Sequence, residues 1–138
     1  MWGWVLAASV ALLAQSPPPA GAPPEPGSTW CLAGREVLRM RATIGDWAPR
    51  KRVEEMEVRL VEALSLSSAP LLPEDIRLVV LKQGKDVRIE VRGRLLVTVS
   101  NADAAANNTT AERLGQQWLT GLRATLPLIA PVPPPGAP

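Results

Sequence analysis

The sequence predicts an α+β domain: a two-layer sandwich in the order strand-helix-strand-strand-strand-helix. Three observations carry this. Two stretches repeat apolar residues at spacings of three and four, the signature of amphipathic helices. Several short runs alternate apolar with charged residues, the signature of half-buried strands. Of the 15 prolines and 10 glycines among the 138 residues, most of the prolines crowd towards the two ends, so the part able to bury a core is residues 31–127. Because strands follow one another without intervening helices, the simplest assembly is a mostly antiparallel sheet with two helices on one face.

The first strand is read at residues 35–42, where Leu38, Met40 and Ala42 alternate with Arg39 and Arg41. Gly45 and Asp46 break it. Asp46 and Pro49 are helix-start signals. Val53, Met56, Leu60 and Leu64 then draw one apolar stripe, with Val61 alongside, and the helix is expected to end near Ser65–Ser68. Residues 76–81 read as a well-buried strand. Residues 83–86 (Gln-Gly-Lys-Asp) are a turn. Residues 87–92 alternate Val87, Ile89 and Val91 with Arg88, Glu90 and Arg92, which predicts a hairpin. Gly93 marks a second turn or bulge, and Leu95–Val99 a further strand. A loop with room for one helical turn covers 100–108. Thr109 and Glu112 form a capping-box pattern ahead of the last helix. There Ala111, Leu114, Trp118, Leu122 and Leu126 share a face, and Pro127 is expected to stop it. Trp118, on that stripe, should fill the helix–sheet interface.

The ends carry different signals. Residues 1–16 read as a signal peptide or N-terminal anchor. Trp2–Ala14 is an uncharged apolar run, shorter than the roughly 20 residues of a bilayer span, with small residues at Ala14, Ser16 and Ala20 that suit cleavage. No Lys or Arg precedes the run, which keeps the uncleaved anchor as the alternative. Residues 17–30 read as a proline-rich linker and 128–138 as a proline-rich tail. Pro131 and Pro134 have the spacing of a ligand for proline-reading domains, but a spacer explains the composition as well.

Composition excludes several chemistries. There is no His, Tyr or Phe and a single Cys, so no histidine-based triad, His metal site, multi-cysteine zinc site or intrachain disulfide can form. Cys31 lacks a base to activate it, and intermolecular pairing is its other use. Glu54, Glu55 and Glu57 share a helix with Arg52 and Arg59 and read as a solvated face of local ion pairs. Asp103 is placed to cap a turn. The sequence therefore predicts no enzyme, no cofactor and no metal site. A net charge of +2 is too small to indicate nucleic acid as a partner. Asn107 and Asn108 match the glycosylation acceptor pattern, which matters only in a glycosylating secretory host.

The arginines are the remaining candidates. Arg39, Arg41, Arg77, Arg88, Arg92 and Arg94 lie on or beside strands and are expected to gather on the sheet face away from the helices. Such a surface would take anionic lipid headgroups or an acidic partner, because guanidinium groups bind phosphate and carboxylate bidentately. The plainer reading is a solvated face, interrupted by Asp86 and Glu90, in a chain with twelve Arg and three Lys. Arg50, Lys51 and Arg52 cluster at a helix N-terminus, where the dipole disfavours cations.

The core segment also carries a set of short motifs: Gly34-Arg35-Glu36-Val37-Leu38 at the first strand, Pro49, Arg52, Arg59 and Leu60 on the first helix, Val97-Thr98-Val99 with Asp103-Ala104, and Gln116, Trp118, Leu122 and Arg123 on the closing helix. Together they resemble the N-terminal extracytoplasmic domain of some bacterial small-conductance mechanosensitive channel family proteins. No apolar run of transmembrane length follows Pro127, so the resemblance implies a free-standing version of that domain without the channel, and it brings no catalytic residues. The functional expectation is a non-enzymatic, extracytoplasmic interaction or accessory module, in the periplasm or secreted, binding a membrane or envelope protein. Membrane anchoring and anionic lipid binding are the alternatives, and the oligomeric state is left open.

Overall fold

The computed structural model describes residues 27–81 and 86–129. The leader, most of the linker, the centre of the 83–86 turn and the proline-rich tail from 130 onward lie outside the described residues. The fold is α+β. In chain order it comprises β1 (Ser28–Leu32), β2 (Arg35–Met40), α1 (Pro49–Ser65), a short 3-10 turn at Pro73–Asp75, β3 (Ile76–Val80), β4 (Val87–Val91), β5 (Arg94–Val99), α2 (Asn101–Ala106) and α3 (Ala111–Ile129).

The strands form two antiparallel units, a β1–β2 hairpin and a three-stranded sheet in the order β3-β4-β5. Thus the single sheet expected from sequence is divided in two, and there is one more strand. β1 lies largely in the stretch read as linker. Thr29 and Trp30 are good strand formers, but the prolines just before them dominate the local composition. Trp30 is buried, and its indole Nε1 donates to Glu57 Oε1 on α1 at 3.0 Å. Ala33 and Gly34 close the hairpin with φ of 49° and 75°, the two left-handed residues of a type I′ turn.

Each unit contains a β-bulge, and each bulge breaks the alternation read from sequence. On β2 the register passes from Leu38 to Glu36, so Val37 is the extra residue and Val37 and Leu38 are both buried. On β5 it passes from Val97 to Leu95, and Leu96 and Val97 are both buried. β3 is an edge strand: Ile76 is inside, but Val79 and Val80 are exposed, contrary to the well-buried strand expected.

α1 buries Pro49, Val53, Met56, Leu60 and Ala63. The stripe therefore runs through Ala63, and Val61 points to solvent at 67% exposure. This helix packs along β5 and against the β1–β2 hairpin, while α3 lies across β2, β3 and β4. Trp118 on α3 is buried in the core, as its place on the stripe predicts. The last helix starts one residue later than the capping pattern indicates: Thr110, not Thr109, caps it, its Oγ1 accepting from the Arg113 N–H at 3.2 Å. It also continues past Pro127 to Ile129, within the fraying typical of helix ends. The segment expected as a loop is the helix α2, held by a capping box. Ser100 Oγ accepts from the Asp103 N–H, and Asp103 Oδ2 accepts from the Ser100 N–H.

Candidate functional site

A largely apolar concavity is built around the connection from β2 to α1. Ile44 and Trp47 exchange backbone hydrogen bonds of 3.0 Å in both directions, closing a two-residue turn over Gly45 and Asp46. Gly45 supplies the positive φ, 59°, that this turn needs. A directly hydrogen-bonded pair places both side chains on one side of the turn. Ile44 and Trp47 therefore stand together, 37% and 40% exposed. Beneath them lie Met40 from the end of β2 and Leu96 and Val97 from the β5 bulge. The result is an open groove of about 310 Å³, with Glu55 and Arg59 of α1 and Thr98 and Ser100 of β5 and its exit at its edge.

A buried ion pair holds this wall in place. Arg52 extends from the first turn of α1, and its Nη1 and Nη2 donate to Asp103 Oδ1 and Oδ2 at 2.7 and 2.8 Å. The Asp103 side chain has no exposure, and that of Arg52 only 10%. Nη1 also donates to the Ala42 carbonyl at 2.8 Å, and Nη2 lies 3.4 Å from the Thr98 carbonyl. One guanidinium thus fastens four segments: α1, the β2–α1 connection, the end of β5 and α2. This explains a cation at a helix N-terminus, since the carboxylate outweighs the weak unfavourable dipole. Two further charges at the rim face each other, Arg59 Nε and Glu55 Oε1 at 3.4 Å. Lys51 Nζ sits 5.4 Å from the centre of the Trp47 ring, a cation–π contact that steadies the indole. With its charges paired, the groove presents an apolar, electrically balanced surface.

The six arginines singled out from sequence divide among different places. Arg39 on β2 and Arg41 just beyond it border a shallow polar hollow with Glu36, Asn107 and Gln117, and Arg39 Nε donates to Thr29 Oγ1 at 2.9 Å. Arg77 and Arg88 share the outer face of the three-stranded sheet, with Glu90 directly opposite Arg77. Arg94 opens β5 and is exposed. Arg92 is turned to structural use. With Gly93 it forms the β4–β5 turn, at φ 52°, and its guanidinium donates to the carbonyls of Leu64, Ser67 and Ala69 at 3.4, 3.2 and 2.6 Å. It thereby closes the C-terminal end of α1, whose last turn has no basic residue of its own.

Cys31 is free and exposed on β1. Among the described residues no three His, Cys, Asp or Glu side chains converge as metal ligands. No described helix is long and apolar enough to cross a membrane. Sequence reasoning missed the Ile44–Trp47 pair and the partner of Arg52. The first left a signal, a Gly-Asp dipeptide between two large apolar residues. The second left none, because residues 52 and 103 meet only through the tertiary fold.

A family model describing a domain of unknown function, DUF8459, matches residues 29–127, and the chain belongs to that family. Neither curated proteins nor solved structures give a significant match.

Proposed function

We propose that the protein is a non-catalytic, extracytoplasmic binding module whose groove holds an extended apolar segment of a membrane or envelope protein. The observation that carries this reading is the Ile44–Trp47 pair. Two large apolar side chains are held open to solvent by a hydrogen-bonded turn, on a base fixed by the Arg52–Asp103 pair. Folding alone does not ask for this exposure, whereas a binding groove does: an aromatic anchor, an apolar floor and a rim of satisfied polar groups. The export-like leader and the resemblance to a domain that precedes membrane channels support the location and the kind of partner.

The test is quantitative affinity purification from envelope extracts with the wild type and the Ile44→Ser/Trp47→Ala variant. Proteins enriched by the wild type and lost with the variant, at an unchanged melting midpoint, are the expected result. An identical set for both proteins overturns the reading. The competing reading, anionic lipid bound through strand arginines, rests on Arg77 and Arg88, which share one exposed sheet face. Salt-sensitive cosedimentation with anionic vesicles that Arg88→Glu abolishes would favour it over the groove.

A further inference from the structure

The three-stranded sheet has two outer strands, β5 and β3. Helix α1 and the groove lie along β5, whereas β3 is open over part of its length. The hydrogen bonds at the two ends of β3 show which of its backbone groups face outward. The Arg92 N–H donates to the Asp75 carbonyl at 2.8 Å and the Leu81 N–H to the Asp86 carbonyl at 2.9 Å, and the register between β3 and β4 is unbroken. Bonded pairs alternate in an antiparallel ladder. Arg77 and Val79 therefore bond to β4, and Ile76, Leu78 and Val80 turn their N–H and C=O groups to the open side. Ile76 is already satisfied there: its N–H donates to the Pro73 carbonyl, and its carbonyl accepts from Arg123 Nε of α3 at 3.0 Å. Among the described residues nothing bonds the outward groups of Leu78 and Val80.

This open stretch matches a second copy of itself. With two β3 strands antiparallel and Val79 on the two-fold axis, Leu78 of one copy faces Val80 of the other, and every free N–H meets a free C=O. Centring on Leu78 instead sets Val80 against Ile76, whose groups are taken. Centring on Val80 sets Leu78 against residue 82, past the end of β3. Side chains agree. Val79 and Val80 are exposed and lie on opposite faces of the strand. In this register Val79 meets Val79 of the second copy on the outer face, and Val80 meets Leu78 of the second copy on the face that carries α3. Charges agree as well. Arg77 falls opposite Leu81 of the second copy, and its Nε is turned back to the Glu74 carbonyl at 3.2 Å. Each Arg88 sits beside Val79 on β4, so the two are three strand spacings or about 14 Å apart, beyond the screening length of about 8 Å. The usual guards of an exposed edge, Pro, Lys or a bulge, are missing from Leu78, Val79 and Val80.

We propose that the free stretch of β3 pairs with β3 of a second copy of the chain, joining the two three-stranded sheets into one continuous sheet. This goes beyond the groove reading and does not depend on it. Because β3 and β5 are opposite edges, the pairing leaves both Ile44–Trp47 grooves open, and the dimer presents two of them to a partner. The seam is short and below the standard interface size, so a dissociation constant on the order of 100 μM is expected.

The experiment is sedimentation equilibrium of the full chain from about 10 μM to about 1 mM, together with disulfide trapping in air. The wild type is expected to pass from monomer to dimer across this range. Val79→Lys sets two ammonium groups face to face and is expected to weaken association on the order of tenfold, at an unchanged urea midpoint. Trapping keeps the test decisive if that variant folds poorly. In the Cys31→Ser background, Val79→Cys puts the two thiols on a non-hydrogen-bonded pair with Cα atoms about 4.5 Å apart, within the roughly 4.4–6.8 Å that a disulfide spans. A covalent dimer is expected from Val79→Cys and not from Arg77→Cys, whose two copies lie about 14 Å apart along the strands. A chain that stays monomeric across the range overturns the proposal, as does equal trapping from positions 77 and 79. A dimer that a folded Val79→Lys protein keeps intact, or one that Trp47→Ala abolishes, places the contact elsewhere and overturns it too.

Discussion

Arg52 carries a full charge into a nearly closed site because Asp103 meets it there with matching fork geometry and the spare lone pairs go to Ser100. The Asp103 carboxylate also accepts from the Ser100 backbone N–H and hydroxyl, at 3.0 and 3.1 Å. Removing one member of such a pair strands the other without water, at a cost of about 3–5 kcal/mol. Asp103→Asn is therefore expected to lower unfolding free energy by about 3 kcal/mol in urea titration. Loss of well under 1 kcal/mol would show the pair to be solvated. Arg92 presents a different balance. Asn is the preferred residue before Gly in this turn, so Arg92→Asn relieves backbone strain. It also removes a charged donor from three carbonyls, each such bond worth about 1.5–3 kcal/mol when well made and less where exposed. A net destabilisation of about 1 kcal/mol is expected, read as a shift in the urea midpoint. A stabilised Arg92→Asn protein would mean the three bonds contribute little.

At the scale of elements, helix α3 and strand β2 approach closely because position 121 has no side chain. A Cβ at Gly121 would lie 2.9 Å from the Val37 carbonyl oxygen, a backbone atom that cannot swing aside. Gly121→Ala thus sets a helix-propensity gain of about 1 kcal/mol against an overpacking cost of roughly 1–3 kcal/mol. We expect net destabilisation in thermal unfolding. Gly115→Ala is expected to be milder, because its nearest neighbour, at 2.9 Å, is the movable tip of Leu78. An equal or larger loss at Gly115 would contradict this ranking. Helices α1 and α3 and strands β2, β4 and β5 were legible from periodicity, since one face of each is buried and the pattern records it. What escaped has physical causes. β1 was hidden by the adjacent prolines, although the buried Trp30 ties it to α1 through Glu57. The bulges at Val37 and Leu96 bury consecutive residues, which alternation cannot express. The Thr110 cap differs from Thr109 by one position, and either threonine suits the role. Arg52 and Asp103 are 51 positions apart, and nothing local to either names the other.

At the scale of the whole molecule, one packed network decides where the Ile44–Trp47 groove lies. Core packing fixes the sheets and helices, the Arg52–Asp103 pair locks the β2–α1 connection to β5 and α2, and the Gly45–Asp46 turn then holds Ile44 and Trp47 outward. Under the proposed function, residues held this way contribute to partner binding more than to stability. Ile44→Ser/Trp47→Ala is accordingly expected to leave the urea midpoint almost unchanged, within the roughly 0.5 kcal/mol typical of surface substitutions, while partner retention is lost. The arginines lack such an arrangement, since they are spread over two sheets and a turn and Arg92 is consumed by carbonyls. The most direct test places a photo-crosslinking amino acid at position 44 or at position 88 of the full chain in living cells and compares covalent adducts in the envelope fraction. The groove account predicts a discrete protein adduct from position 44, lost with Trp47→Ala, and none from position 88. Adducts from position 88 alone, or from 44 regardless of Trp47, would contradict it.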